Sequence, residues 1–290
     1  MTDTLDRRLH AFRPDLADIR LKGQVEAEAF VEGHPAIVVA PVVDIRRAPA
    51  HDAGLDTQFV TGDRVRVFES VEGWAWVQGE RDGYVGYAPD EALFDGEIAA
   101  PTHRVMAQRS FVYPGPDLKM PPLRALSMGA LVTVVSTEER RGTRYAVLAN
   151  GTALAAAHVT PVGETEPDYV MAAERFLHTP YLWGGTSGFG IDCSGLVQLS
   201  MAMAGRTVLR DSDMQEATIG AVLETGGDFS SLRRGDLVFW KGHVGIMVDA
   251  ENLLHANGST MNVALEPLAA AIARIEPLFG PPTSVRRPRI

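Results

Sequence analysis

Cysteine is nearly absent from this chain: Cys193 is the single one among 290 residues. An internal disulfide is excluded, and such cysteine usage fits a reducing compartment. Positive charge is also short, with 27 Lys and Arg against 37 Asp and Glu and a formal charge of −10. That balance argues against nucleic acid and anionic lipid as partners. No apolar run is long enough to span a membrane. Residues 1–30 mix Asp, Glu, Arg and Lys without the apolar core of a signal peptide, so the expected location is cytoplasmic. No Cys/His cluster has metal-ligand spacing, so neither a metal nor a cofactor is expected. Tryptophans are few, and Trp74, Trp76 and Trp240 read as core or groove residues.

What is present divides by texture. Residues 1–35 are charged and weakly patterned and read as an irregular arm. From Ala36 short β-rich runs follow one another: Ile37-Val-Val, Val42-Val-Asp-Ile, Arg64-Val-Arg-Val-Phe and Trp74-Ala-Trp-Val. An Asp82-Gly83 turn and Tyr84-Val-Gly-Tyr come next. This predicts a small antiparallel barrel over 36–97. A degenerate copy over 98–163 is suggested by Thr61-Gly-Asp-Arg-Val beside Ser127-Met-Gly-Ala-Leu, and by Tyr87-Ala-Pro beside His158-Val-Thr-Pro.

Residues 164–290 read differently. Thr165-Glu-Pro-Asp has capping-box spacing before a helical stripe of Tyr169, Ala172, Ala173, Phe176 and Leu177. A second helix opens at Cys193, carries Leu196, Leu199 and Met203 on one face, and ends at Gly205. Strands are expected at Asp236–Trp240, His243–Val248, Leu253–Ala256 and Met261–Leu265, and Arg286–Ile290 reads as a solvated tail. Helices first and strands second predict an α+β domain with an antiparallel sheet.

Cys193 follows a glycine-rich, aromatic loop, Tyr181-Leu-Trp-Gly-Gly-Thr-Ser-Gly-Phe-Gly-Ile-Asp. Asp192 is placed to cap the helix, and unpaired N–H groups at a helix start favour a thiolate. A lone cysteine is most often an inert core residue. Here the glycines permit close approach of a ligand, and Tyr181 and Trp183 flank the loop, which favours a nucleophile. His243 opens a strand after Lys241-Gly242 and is the candidate base, forming a thiolate–imidazolium pair at neutral pH. His255 lies within an apolar strand and is the candidate that orients His243. A three-residue hairpin loop, Asp249–Glu251, would put His255 opposite Gly245 and diagonal to His243, with Gly245 leaving room for the ring. His10, His34, His51 and His103 lie in polar loops with no partner pattern.

These motifs together resemble the NlpC/P60 cysteine peptidases: Pro180-Tyr-Leu-Trp-Gly-Gly, Asp192-Cys-Ser-Gly, Arg234-Gly-Asp-Leu-Val-Phe, Gly242-His-Val-Gly-Ile and Leu254-His255. The two barrels resemble bacterial SH3 domains. The resemblance implies a permuted papain-like fold, with Cys193 as nucleophile, His243 as base and His255 as orienting residue. It implies that Tyr181, Trp183, Asp192, Ser194, Asp211 and Ser212 line the substrate cleft. The whole arrangement is similar to γ-D-glutamyl-L-diamino acid endopeptidases acting on short murein-derived peptides. In those, an acidic residue before Thr-Gln and a tyrosine of Gly-Tyr-x-Gly hold the substrate's free amine, which implies Asp56 and Tyr84 here. Asp56 stands where Glu is usual. Two other readings remain: a peptide-binding protein without turnover, and a thiol amidase or acyltransferase on another amide. The sequence leaves the oligomeric state and the preferred diamino acid open.

Overall fold

The computed structural model describes residues 5–96 and 99–288. The chain folds as two units, Met1–Gly163 and Glu164–Ile290. The boundary expected between Glu97 and Ile98 falls outside the described residues.

In the N-terminal unit the β-rich runs become strands because alternate residues bury one side. Val43 and Ile45 are buried in Val42–Arg46, and Val65 and Val67 in Arg64–Val71. Seven strands form one antiparallel sheet, in the order Leu55–Val60, Val42–Arg46, Val85–Pro89, Trp74–Gly79, Arg64–Val71, His34–Val38, Leu93–Phe94. They share a core of Ala36, Val38, Ile45, Phe59, Val65 and Val77. The strand Leu55–Val60 escapes the sequence reading because Asp56-Thr57-Gln58 interrupts its apolar pattern. Thr57 and Gln58 are nevertheless buried, and Gln58 Nε2 donates to Asp44 Oδ1 at 2.9 Å.

The lead-in is not an irregular arm. Leu16–Asp18 pairs in parallel with Ala29–Val31, and Ala11 and Leu16 are buried with Phe68 and Trp76. Its charges are put to use: the Arg13 guanidinium lies 4.4 Å from the Trp76 ring and donates to Glu69 at 2.8 Å.

Residues 103–161 fold as three small antiparallel sheets over Val105, Val112, Leu126, Leu148 and Leu154, a core that also takes in Val60. Left-handed turn residues recur in the two halves: Gly62 and Gly129, Glu72-Gly73 and Arg141-Gly142, Gly83 and Gly151. The expected pairing of Tyr87 with His158 is out of step. The 3-10 turn Asp90–Ala92 follows Val85–Pro89, and its counterpart Ala156–His158 follows Ala153–Ala155, which matches Tyr87 to Ala153.

The C-terminal unit holds helices α1 (Tyr169–Glu174), α2 (Cys193–Met203), α3 (Ser212–Thr218) and α4 (Leu268–Phe279). Its sheet comprises β1 (Ala221–Val222), β2 (Leu237–Trp240), β3 (His243–Met247), β4 (Asn252–Asn257), β5 (Asn262–Pro267) and β6 (Ser284–Arg287). The order is β1-β6-β2-β3-β4-β5, with every neighbour antiparallel. Asp168, not Thr165, caps α1, its carboxylate accepting the Val170 N–H at 2.9 Å. The Thr165-Glu166 stretch is held elsewhere, since the Glu166 N–H donates to the Met203 carbonyl at 2.9 Å. α2 ends as its pattern predicts, with Gly205 in the left-handed region at φ 73°.

Among the elements missing from the sequence reading, two are substantial. α4 buries Leu268, Ala271 and Ile275 at helical spacing, but its run of alanines and an internal Pro277 mask the signal. The expected tail is the other: Ser284–Arg287 is strand β6 between β1 and β2, while Arg289 and Ile290 lie outside the described residues. Val285 supplies its buried residue, and Arg287 grips the Asp236 carboxylate, 1% exposed, at 2.7 and 2.6 Å. Replacing Arg287 with Ala leaves a buried carboxylate without its cation and is expected to cost about 2 kcal/mol. A solvated tail would lose under about 0.5 kcal/mol, and urea unfolding separates the two.

Candidate active site

The thiol is positioned by a loop pressed onto the start of α2. Within it Thr186–Ser187 pairs with Gly190–Ile191, and the Asp192 N–H donates to the Gly185 carbonyl at 3.0 Å. A Cβ on Gly195 would collide with the Gly185 carbonyl oxygen, so the close approach requires glycine at that place. Asp192 caps the helix through Oδ1, which accepts the Gly195 N–H at 2.7 Å. Its other oxygen accepts the Gly184 N–H at 2.9 Å and Arg210 at 2.6 Å. Arg210 is 1% exposed and also donates to the Ser194 hydroxyl at 2.7 Å. Gln215 on α3 donates to the carbonyls of Ser194 and Leu209. Arg210 and Gln215 carry no signal of this role in the sequence, where they lie in what reads as a polar turn.

The two histidines stand on neighbouring strands. β3 and β4 pair Ile246 with Leu254 and Met247 with Leu253, and Val248 closes the hairpin by donating to Asn252. This register sets His255 across from Gly245, diagonal to His243, with both rings on one face. His243 Nε2 lies 2.8 Å from His255 Nδ1. The space at Gly245 is taken by the Leu253 side chain, not by an imidazole. His255 is fully buried, and its Nε2 lies 2.7 Å from Oε1 of Glu266 on β5, which in turn pairs with Arg274 on α4. Glu266 has no motif around it, so the sequence alone does not single it out. Trp240 packs beside His243 with ring centroids 5.7 Å apart. Cys193 joins this group through the backbone, its sulfur taking a hydrogen bond from the N–H of Val244, the residue after His243. With Nε2 of His243 engaged, Nδ1 is the nitrogen left to serve the thiol.

The remaining expected residues are spread over both units. Tyr181 is part-buried and bridges Ile191, its N–H donating to the Met261 carbonyl at 2.9 Å, whereas Trp183 is 66% exposed. Asp211 and Ser212 begin α3 and are part-buried, with no cap bond from the Asp211 side chain. Asp192 and Ser194 turn their side chains inward, to the contacts just given. Asp56 and Tyr84 belong to the N-terminal unit. There Asp56 pairs with Arg47 at 2.7 Å, and the Tyr84 N–H donates to Asp82 at 3.1 Å.

Residues 178–274 match the NlpC/P60 family, and residues 45–93 match the family described as bacterial dipeptidyl-peptidase Sh3 domain. The chain carries an NlpC/P60 domain and is a cysteine peptidase. It is 26% identical over 249 residues to dipeptidyl-peptidase 6 of Lysinibacillus sphaericus, covering 79% of this chain and 90% of that one. It is 28% identical over 245 residues to a gamma-D-glutamyl-L-lysine dipeptidyl-peptidase of Bacillus cereus, covering 74% and 71% respectively. Among solved structures, an NlpC/P60 family protein from Bacillus cereus superposes with a TM-score of 0.71 at 22% identity, over 87% of this chain and 99% of that one. That likeness establishes the fold.

In the NlpC/P60 domain the electrostatics run against a resting ion pair. Burial, and after it the Asp192 carboxylate, push the Cys193 thiol up to about 12, against the opposing pull of the Val244 N–H and Arg210. Burial first, then the adjacent His255, presses His243 down to about 3. Desolvation thus outweighs the helix N-terminus, and at rest the thiol and the imidazole are each neutral. Alkylation of Cys193 by iodoacetamide is therefore expected to rise about tenfold per pH unit from pH 6 to 9. A plateau across that range would mean the ion pair expected from the sequence. Arg210→Met is expected to lower stability by about 3 kcal/mol, because Asp192 then keeps a buried charge without its cation. Thermal or urea unfolding of the variant checks this.

Proposed function

We propose that this protein is a thiol endopeptidase that hydrolyses the γ-D-Glu–diamino acid bond of short murein-derived peptides with a free N-terminal L-Ala. The setting we infer is cytoplasmic recycling of such peptides. The observation that carries the chemistry is the Cys193 thiol at a helix start, bonded to the N–H of the residue after His243, together with the hydrogen-bonded His243–His255 pair. The choice of bond is supported by the names of the relatives.

That arrangement supports the following reaction. As Sγ of Cys193 bonds to the γ-carbonyl carbon, its proton passes to Nδ1 of His243. The carbonyl oxygen becomes an oxyanion, for which the Cys193 N–H in the first turn of α2 is the natural donor. When the C–N bond breaks, His243 returns the proton to the leaving amine of the diamino acid, giving a thioester. Water then attacks the thioester while His243 takes its proton, and passing that proton to sulfur restores the thiol. His255 keeps His243 turned toward the thiol throughout. Tyr181, Trp183, Asp211 and Ser212 are assigned to the cleft wall, Asp192 and Ser194 to its base, and Asp56 and Tyr84 to recognition of the amine.

Incubation with L-Ala-γ-D-Glu-diaminopimelate and with L-Ala-γ-D-Glu-L-Lys tests the reading. Release of the free diamino acid is expected, with kcat reduced about 10⁴-fold or more in Cys193→Ala. Undiminished cleavage by that variant would refute the thiol mechanism. Binding of either peptide with no product would favour a binding protein. N-acetylated substrate is expected to be resistant, and Asp56→Ala to raise KM about tenfold with kcat within about twofold. Equal cleavage of acetylated and free peptides would refute the amine selectivity alone.

A further inference from the structure

We propose that Glu266, braced by Arg274, is a positioning residue that fixes the tautomers of His255 and His243 and thereby keeps Nδ1 of His243 a proton acceptor. This rests on the reading of Cys193 and His243 as the reacting pair.

The two imidazoles form a chain whose direction is undetermined from within. Between Nε2 of His243 and Nδ1 of His255, at 2.8 Å, one nitrogen must carry the hydrogen and the other must accept it. If His255 donates from Nδ1, neutral His243 carries its own hydrogen on Nδ1 and cannot take the thiol proton. If His243 donates from Nε2, its Nδ1 lone pair is open to the thiol. The choice falls to whatever faces the far nitrogen of His255. That group is Oε1 of Glu266, 2.7 Å from Nε2. An ionised carboxylate only accepts, so a His255 with a single ring hydrogen carries it on Nε2, its Nδ1 must accept, and His243 must donate from Nε2.

The fold gives this contact without freedom to drift. β4 and β5 pair His255 with Ala264 and Leu253 with Glu266, so the carboxylate is one pleat along the same face. Arg274 reaches the same oxygen from α4. The groups facing His255 are His243 from β3, Glu266 from β5 and, through Glu266, Arg274 from α4. Hydrogen bonds from His255 and then Arg274 hold the Glu266 carboxyl below the usual carboxylate range. A Glu–Arg pair at a helix–strand edge would by itself contribute little. What sets this one apart is the shared oxygen: His255 is 0% exposed, so no solvent competes for its Nε2–H.

The test compares wild type, Glu266→Gln and Arg274→Gln. An amide can turn either its oxygen or its NH2 toward His255 and so stops selecting one tautomer. Glu266→Gln is expected to lower kcat about 10–100-fold with KM within about twofold. Arg274→Gln is expected to lower kcat less, by about threefold to tenfold, with KM again within about twofold. Imidazole 15N spectra are expected to show Nε2–H on both histidines in wild type and a mixture in Glu266→Gln. Wild-type spectra with Nδ1–H on His255, or a folded Glu266→Gln keeping kcat within about twofold, would overturn the proposal. Should Glu266→Gln not fold, unchanged kcat in Arg274→Gln overturns it in the same way. The spectra need no substrate, so a wild type that cleaves none of the peptides would defeat the proposed function and leave the tautomer question decided independently.

Discussion

The buried ion pair of Asp192 and Arg210 is the interaction on which the geometry of the thiol depends. One carboxylate ties together the loop before Cys193, through Gly184, and the first turn of α2, through Gly195. Arg210 brings in the segment leading to α3 and extends to the Ser194 hydroxyl. Buried charges of this kind are costly to desolvate and hold only when each is fully hydrogen-bonded. That requirement over-determines the position of Cys193, which lies between Asp192 and Ser194 in sequence. It also raises the thiol, because the same carboxylate that builds the helix start is a negative charge beside the sulfur.

The second constraint is strand parity. His243, Gly245 and Met247 on β3, Leu253 and His255 on β4, and Ala264 and Glu266 on β5 share one face by register. The same face carries Val238 and Trp240 from β2 and receives Leu268, Ala271 and Ile275 of α4. A polar line of two histidines and a carboxylate is thus embedded in an apolar layer. Such a line is tolerable only if each member satisfies the next. The register does this, and a slip of one residue on β4 would send His255 to the opposite face.

How much of this was legible in the sequence varies with the range of the forces involved. Where local pattern controls an element, reading succeeded: α2 from Cys193 to its left-handed Gly205, and the four strands carrying or flanking the histidines. It failed where a pattern was diluted or interrupted, as in alanine-rich α4 and in Leu55–Val60. It also failed where charge disguised packing, as with the lead-in around Arg13 and strand β6 at Arg287. In each of these a charged side chain has a buried or aromatic partner far away in the chain, which composition does not reveal.

By itself the sequence determined the reactive residue types and their order: one thiol at a capped helix start, then two histidines on strands joined by a short hairpin. The identity of the fold family followed from those motifs. Tertiary structure alone decided which groups surround them. Glu266, Arg274, Arg210 and Gln215 enter the site through strand register and buried ion pairs, which depend on contacts between distant segments. It also decided the state of the thiol. The helix start is a local feature that favours a thiolate, but burial is a property of the whole fold, and desolvation is the larger effect.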